Sequence, residues 1–172
     1  MSLWTPPGAD LGDFDPPEPD PIMVNFIGGF GHDGQARPIS YRRLKEAADA
    51  LTITSSTPEG PANLLGTGRA MFALSLYDYR MLLASVANSI FAVEAALKLR
   101  LKMKGTFDSL IKKAVADGLV TPEVADIVDT GRKIRNGFIH EGKIPRWTFG
   151  MAYNGLSASY RLVTELYPEP AP

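Results

Sequence analysis

The chain has 172 residues and a mass of 18.7 kDa, the size of one ordinary domain with room for a hydrophobic core. It has no cysteine and only two histidines, His32 and His140, which excludes a thiolate zinc site, a cysteine nucleophile and a three-histidine metal centre; no cofactor is expected. The net charge of -1 hides a division: residues 1–33 carry six acidic side chains and no Lys or Arg, leaving 18 basic and 13 acidic side chains on residues 34–172.

A basic body with an acidic leader suggests an anionic partner for the body, contested or shielded by the leader; the plainer alternative is that both charges serve solubility. The longest uncharged apolar stretch, Met81 to Val93, is shorter than the ~18 residues a membrane-spanning helix needs. The first Lys or Arg is Arg37, so the start lacks the basic region of a secretory signal. The expectation is a cytoplasmic protein with no membrane partner.

Six of the 14 prolines fall at positions 6, 7, 16, 17, 19 and 21. Proline fixes φ and removes amide donors, so the leader is read as extended chain or disorder rather than helix. The apolar run Ile22 to Ile27 suggests a short strand. Gly29, Gly31 and Gly34 then spell G-x-G-x-x-G, but Pro38 follows where a nucleotide-binding loop needs a helix, so the run reads as a flexible turn, with His32 and Asp33 a solvated pair. Ser40 resembles a helix cap before a short helix over Tyr41 to Leu51, and residues 52–68, rich in Thr, Ser, Pro and Gly, read as a linker.

From Met71 the pattern is helical. Tyr79, Leu82, Leu83, Val86, Ile90, Val93, Leu97 and Leu101 share one arc at ~100° per residue, which predicts a long helix over Tyr77 to Lys104, ended by Gly105. A short helix over Phe107 to Asp117 is closed by Gly118. Thr121-Pro122-Glu123 starts the next, Pro122 to Ile139, with Thr121 as its cap. A last helix spans Thr148 to Leu166, with Met151, Leu156, Tyr160, Val163 and Tyr167 at core positions. The fold class is all-α: an up-and-down bundle of four to five helices over residues 71–167, preceded by a short helix and linker at 38–70 and an extended, Pro-rich acidic leader at 1–37.

One position breaks this pattern. On the Pro122 helix, Val124, Ile127, Val128, Gly131, Ile134 and Phe138 form a stripe, and Arg135 falls inside it, at about 20° from Val124. An unpaired guanidinium in a dry core costs several kcal/mol, so Arg135 requires an anion, a hydrogen-bond cage or a water-filled cleft. Asn136, His140 and Asp129 share an adjacent edge. An Arg beside a residue that exchanges protons near neutral pH is a pair suited to phosphodiester cleavage, the Arg holding phosphate oxygens and the His acting as acid or base. The plain alternative for His140 is a histidine favoured by the helix end, with no chemistry.

Arg135-Asn136-Gly137-Phe138-Ile139-His140 matches the R-x4-H signature of HEPN domains, including the polar residue after the Arg. The resemblance covers about residues 71–167, and the stretch Ile111 to Gly142 also resembles the uncharacterised bacterial branch of that superfamily. The resemblance implies a homodimer that apposes two motifs in one cleft, and a metal-independent endoribonuclease whose products end in a cyclic phosphate. It makes Arg135 the phosphate holder, His140 the acid or base, and Asn136 a positioning group. It also implies RNA and an antitoxin or other protein as partners, although Gly142 stands where some antitoxin-paired members have a Tyr. Many members have lost catalysis, so the rivals are an inactive helical module binding a nucleotide, RNA or a protein, and an assembly protein using its N-terminal arm.

Supporting residues each carry two readings. Glu94 either pairs with Arg135 or forms a surface ion pair with Lys98. Lys98, Lys102, Lys112, Lys113, Arg132, Lys133, Lys143 and Arg146 either track an RNA backbone or are scattered solvated cations. Trp147 and Tyr153 either stack a base or fill the core. Gly137 inside the motif helix suggests that another backbone passes close, as in a dimer.

Overall fold

The computed structural model describes residues 17–141 and 147–170; the side chains of Arg135 and of residues 138–141 lie outside the described set. Within it the protein is a helical bundle of six α-helices with a two-stranded sheet at its N-terminal side.

The expected strand at Ile22 to Ile27 is displaced. Asp20 accepts from the amide of Ile22 (2.8 Å) and the side-chain amide of Asn25 donates to the carbonyl of Pro21 (2.7 Å). These local bonds curl Met23–Asn25 into a 3-10 turn that plants Met23 fully in the core. The glycine-rich run is a hairpin: β1 (Ile27–Phe30) pairs antiparallel with β2 (Ala36–Pro38), Ile27 opposite Pro38 and Gly29 opposite Arg37. The turn between them carries Gly34 at φ +73°, and the Asp33 carboxylate pairs with Arg37 at 2.6 Å. His32 is exposed there, as a loop residue should be.

Helix α1 (Tyr41–Asp49) starts where expected, with the Ser40 hydroxyl accepting from the Arg43 amide at 3.4 Å. The linker does not hold. Residues 59–74 form helix α2 (Glu59–Leu74), and only 52–58 remain a loop. Proline does not prevent it, because Pro58 precedes the helix and Pro61 falls in the first turn, where amides have no intrahelical partner.

The long core helix, α3 (Arg80–Leu101), buries Leu82, Leu83, Val86, Ile90, Val93 and Leu97 as its periodicity predicts. It starts three residues later than expected, where Asp78 accepts from the Arg80 amide at 3.0 Å and also binds the Arg80 guanidinium. It ends before Gly105, because Lys102 takes the left-handed conformation (φ 51°). Ser85, Ser89, Ala92 and Ala96 are buried too, so neighbours cover more than the predicted arc. An 18-residue window of α3 is long and apolar enough to cross a bilayer, with mean hydropathy 1.5, and 61% of that window is buried inside the bundle.

Helix α4 (Phe107–Ala116) is capped by Thr106 and closed by Gly118 at φ +69°. Helix α5 (Pro122–Glu141) follows Thr121, whose amide and hydroxyl both donate to Glu165, at 2.9 and 3.2 Å. Helix α6 (Phe149–Leu166) is capped by the Thr148 hydroxyl accepting from the Met151 amide. Met151 itself is 49% exposed, and Ile127 on α5 is 43% exposed, so neither fills the core position expected of it. Ala152, one residue after Met151, and Ala125, two residues before Ile127, are buried.

Three glycines let the outer helices approach α3. A Cβ on Gly68 of α2 would lie 2.9 Å from the carbonyl oxygen of Ser85; on Gly155 of α6, 3.2 Å from a Val86 methyl; on Gly131 of α5, 3.4 Å from Ile90. The buried Ser89 hydroxyl is 2.9 Å from that of Ser159, tying α3 to α6. The helix-propensity penalty of these glycines is offset by closer packing around α3. Gly68→Ala is therefore expected to lose about 1–3 kcal/mol of stability, because a backbone oxygen cannot move aside. Gly66→Ala, two residues away with nothing within 4 Å, is expected to gain up to about 1 kcal/mol. Urea denaturation of the two variants checks the difference; equal effects would contradict the packing account.

Candidate active site

Arg135, Asn136 and His140 all fall on α5, which packs on α3, α4 and α6. The buried residues of α5, Val124, Ala125, Val128 and Gly131, define the side turned to the bundle. Arg135 comes one turn after Gly131 on this helix. The Arg135 and His140 side chains lie outside the described set, as do residues 143 and 146, the expected positions of Lys143 and Arg146. Asn136 is half-buried and engaged with a partner. Around Gly137 nothing among the described residues lies within 4 Å, so the close backbone that this glycine suggested is not supplied by them.

The best-defined charge cluster on α5 is one turn before the motif. Asp129 accepts from Arg132 at 2.7 Å and pairs with Lys133 at 2.9 Å, its side chain only 20% exposed. Burial would raise its pKa, but the bonds from Lys133 and Arg132 outweigh it and hold the carboxyl below its usual range. The Arg132 guanidinium also lies over the Phe107 ring, 5.8 Å from its centre, which joins α5 to the start of α4. Asp129 thus organises two expected RNA contacts and is not free to act as a base.

The same pattern recurs at other expected contacts. Lys98 binds Glu94 at 2.7 Å, so the second reading of Glu94 is the one seen among the described contacts. Lys112 pairs with Asp108 at 2.8 Å, which raises the lysine's pKa, and Lys113 pairs with Asp117. Each partner lies on the same helix or, for Asp117, at its end, so these lysines sit beside a carboxylate. Lys102 stands apart at the left-handed end of α3.

Trp147 and Tyr153 belong to the core. Trp147 is 5% exposed, its amide donates to the Tyr79 hydroxyl (2.6 Å), and that hydroxyl donates back to its carbonyl (2.8 Å); Tyr153 packs on Phe72 with ring centres 5.9 Å apart. Sequence reading did not single out Tyr79 as more than a core position, nor Arg69, a half-buried cation on α2. Among the described residues no group of three or more His, Asp or Glu could hold a metal ion.

Comparison with family models, with curated proteins and with solved structures finds no match to the chain.

Because the carboxylate of Asp129 is favoured in the folded state, it stabilises the fold above the ordinary aspartate pKa of about 3.8, and that contribution is lost as pH falls through its lower folded value. Asp129→Asn is expected to cost on the order of 1 kcal/mol at neutral pH and progressively less in acid. Thermal melts of both chains across pH check this; a deficit that does not shrink in acid would contradict the ion-pair assignment.

Proposed function

We propose that this protein is a HEPN-like, metal-independent endoribonuclease whose cleft is completed by a second copy of the chain. What carries the reading is the placement of Arg135, Asn136 and His140 on one uninterrupted helix inside an all-helical bundle, with Arg135 one turn beyond the glycine that seats this helix on α3. The R-x4-H resemblance supplies the roles. His140 takes the proton of the ribose 2′-hydroxyl as its oxygen attacks phosphorus, or returns a proton to the departing 5′-oxygen. Arg135 holds the phosphate oxygens as negative charge concentrates on them, and Asn136 positions either group. The P–O5′ bond breaks, leaving a 2′,3′-cyclic phosphate and a 5′-hydroxyl. Gly137, beside which no described residue lies within 4 Å, is where we place the dimer contact, and a toxin or defence role fits this chemistry.

A second reading has its own observation. Lys98, Lys112, Lys113, Arg132 and Lys133 are all paired with nearby carboxylates, which lowers the positive field available to attract RNA. That favours a non-catalytic module binding a nucleotide or a protein through the same face.

Labelled RNA incubated with the protein in excess chelator separates the two. The enzyme reading expects cleavage that falls about 100-fold or more in both Arg135→Ala and His140→Ala. Equal background in all three chains supports the binding module.

A further inference from the structure

Between α1 and α2 lies a cavity of about 230 Å³ lined by Tyr41, Lys45, Asp49, Arg69, Ala73 and Leu74. It is smaller than the ~300–1,000 Å³ of small-molecule pockets and suits a single side chain. Its apolar rim is unusually open, with Tyr41 38% and Leu74 46% exposed. Lys45 is paired with Asp49 along α1. Arg69 donates to the Leu51 carbonyl at 3.2 Å, and among the described residues no carboxylate is within ion-pair distance of it. A half-buried guanidinium with unused donors calls for an anion.

The N-terminal segment arrives at the same place. The Asp20 amide donates to the Leu76 carbonyl at 2.7 Å, and its carboxylate accepts from the Tyr79 amide at 2.9 Å. Next to Leu76, the Tyr77 ring packs on that of Tyr41, the cavity wall, with centres 6.0 Å apart. The chain preceding Asp20 therefore departs beside the cavity. Residues 10–15, outside the described set, read Asp10-Leu11-Gly12-Asp13-Phe14-Asp15. Phe14 lies six positions before Asp20, a reach of about 19 Å at the ~3.1 Å per residue of proline-rich extended chain. Pro16, Pro17 and Pro19 stiffen that span and lower the entropy lost on docking.

We propose that this cavity receives the protein's own leader, with the Phe14 ring against Tyr41 and Leu74 and a flanking carboxylate of Asp13 or Asp15 on Arg69. The occupant is defined by an aromatic ring between two negative charges, which matches an apolar rim around a cation without a carboxylate partner among the described residues. The leader's carboxylates are then engaged at α1 and α2 rather than along the basic positions between residues 98 and 146.

The absence of cysteine makes the test direct, since Gly12→Cys accepts a single nitroxide. In the full-length 15N-labelled chain, the amides of Ala48, Arg69 and Ala73 are expected to lose peak intensity strongly. The intensity should return in ~1 M salt, where the screening length is about 3 Å, and in Arg69→Gln. The double variant Asp13→Asn/Asp15→Asn, which alters no core residue, should also restore it and serves if Arg69→Gln misfolds. Full intensity at those amides from the outset, or a loss that survives both variants, overturns the proposal. So does a loss seen when nitroxide-bearing chain is mixed with untagged 15N chain, because the occupant would then be a second copy.

Discussion

The closeness with which three helices approach α3 governs the rest of the structure. A helix that buries Ser85, Ser89, Ala92 and Ala96 beside its large apolar residues leaves Phe91 as its one exposed side chain between residues 82 and 97. Its neighbours must cover it, and side chains at the crossings would hold them away. Gly68, Gly131 and Gly155 remove that obstacle on α2, α5 and α6 in turn. The consequence for function is on α5: Gly131 sets how near the motif helix lies to the core, and the position one turn later is Arg135.

The carboxylates of Glu94, Asp108, Asp117 and Asp129 meet nearby lysines and arginines, so Lys98, Lys112, Lys113, Arg132 and Lys133 are each balanced by a local contact. An exposed pair of this kind adds little stability and is screened by salt, and a phosphate can compete for its cation. Arg69 differs, being a half-buried cation with no described carboxylate within ion-pair distance, the Asp49 that lines the same cavity being paired with Lys45.

Periodicity and capping chemistry were legible because they act over four residues or fewer. The inward positions of α3, the Ser40 cap and the left-handed Gly118 are of this kind, and they put α1, α3 and α4 close to their observed limits. Helix α2 escaped because its Pro58, Pro61, Gly66 and Gly68 look like a breaker run, whereas two of them serve the helix start and one a contact with Ser85 that lies 17 positions away in sequence. Ile127 and Met151 were assigned to the core by spacing, and both are exposed although Val124 and Val128 on α5 and Leu156, Tyr160 and Val163 on α6 lie inward as expected. The partner of Thr121 was likewise a tertiary fact, since Glu165 lies 44 positions away in sequence, whereas Glu94 meets Lys98 four residues on along the same helix.

The assignment of chemistry to α5 turns on whether His140 and Arg135 meet a phosphodiester together. With only two histidines in the chain, imidazole proton resonances can be followed one residue at a time. Titration with an uncleavable RNA carrying 2′-O-methyl groups is predicted to move the His140 signal while that of His32 stays in place, and to leave both unmoved in Arg135→Ala. A His140 signal indifferent to saturating RNA, or one that shifts equally without the arginine, would contradict the assignment.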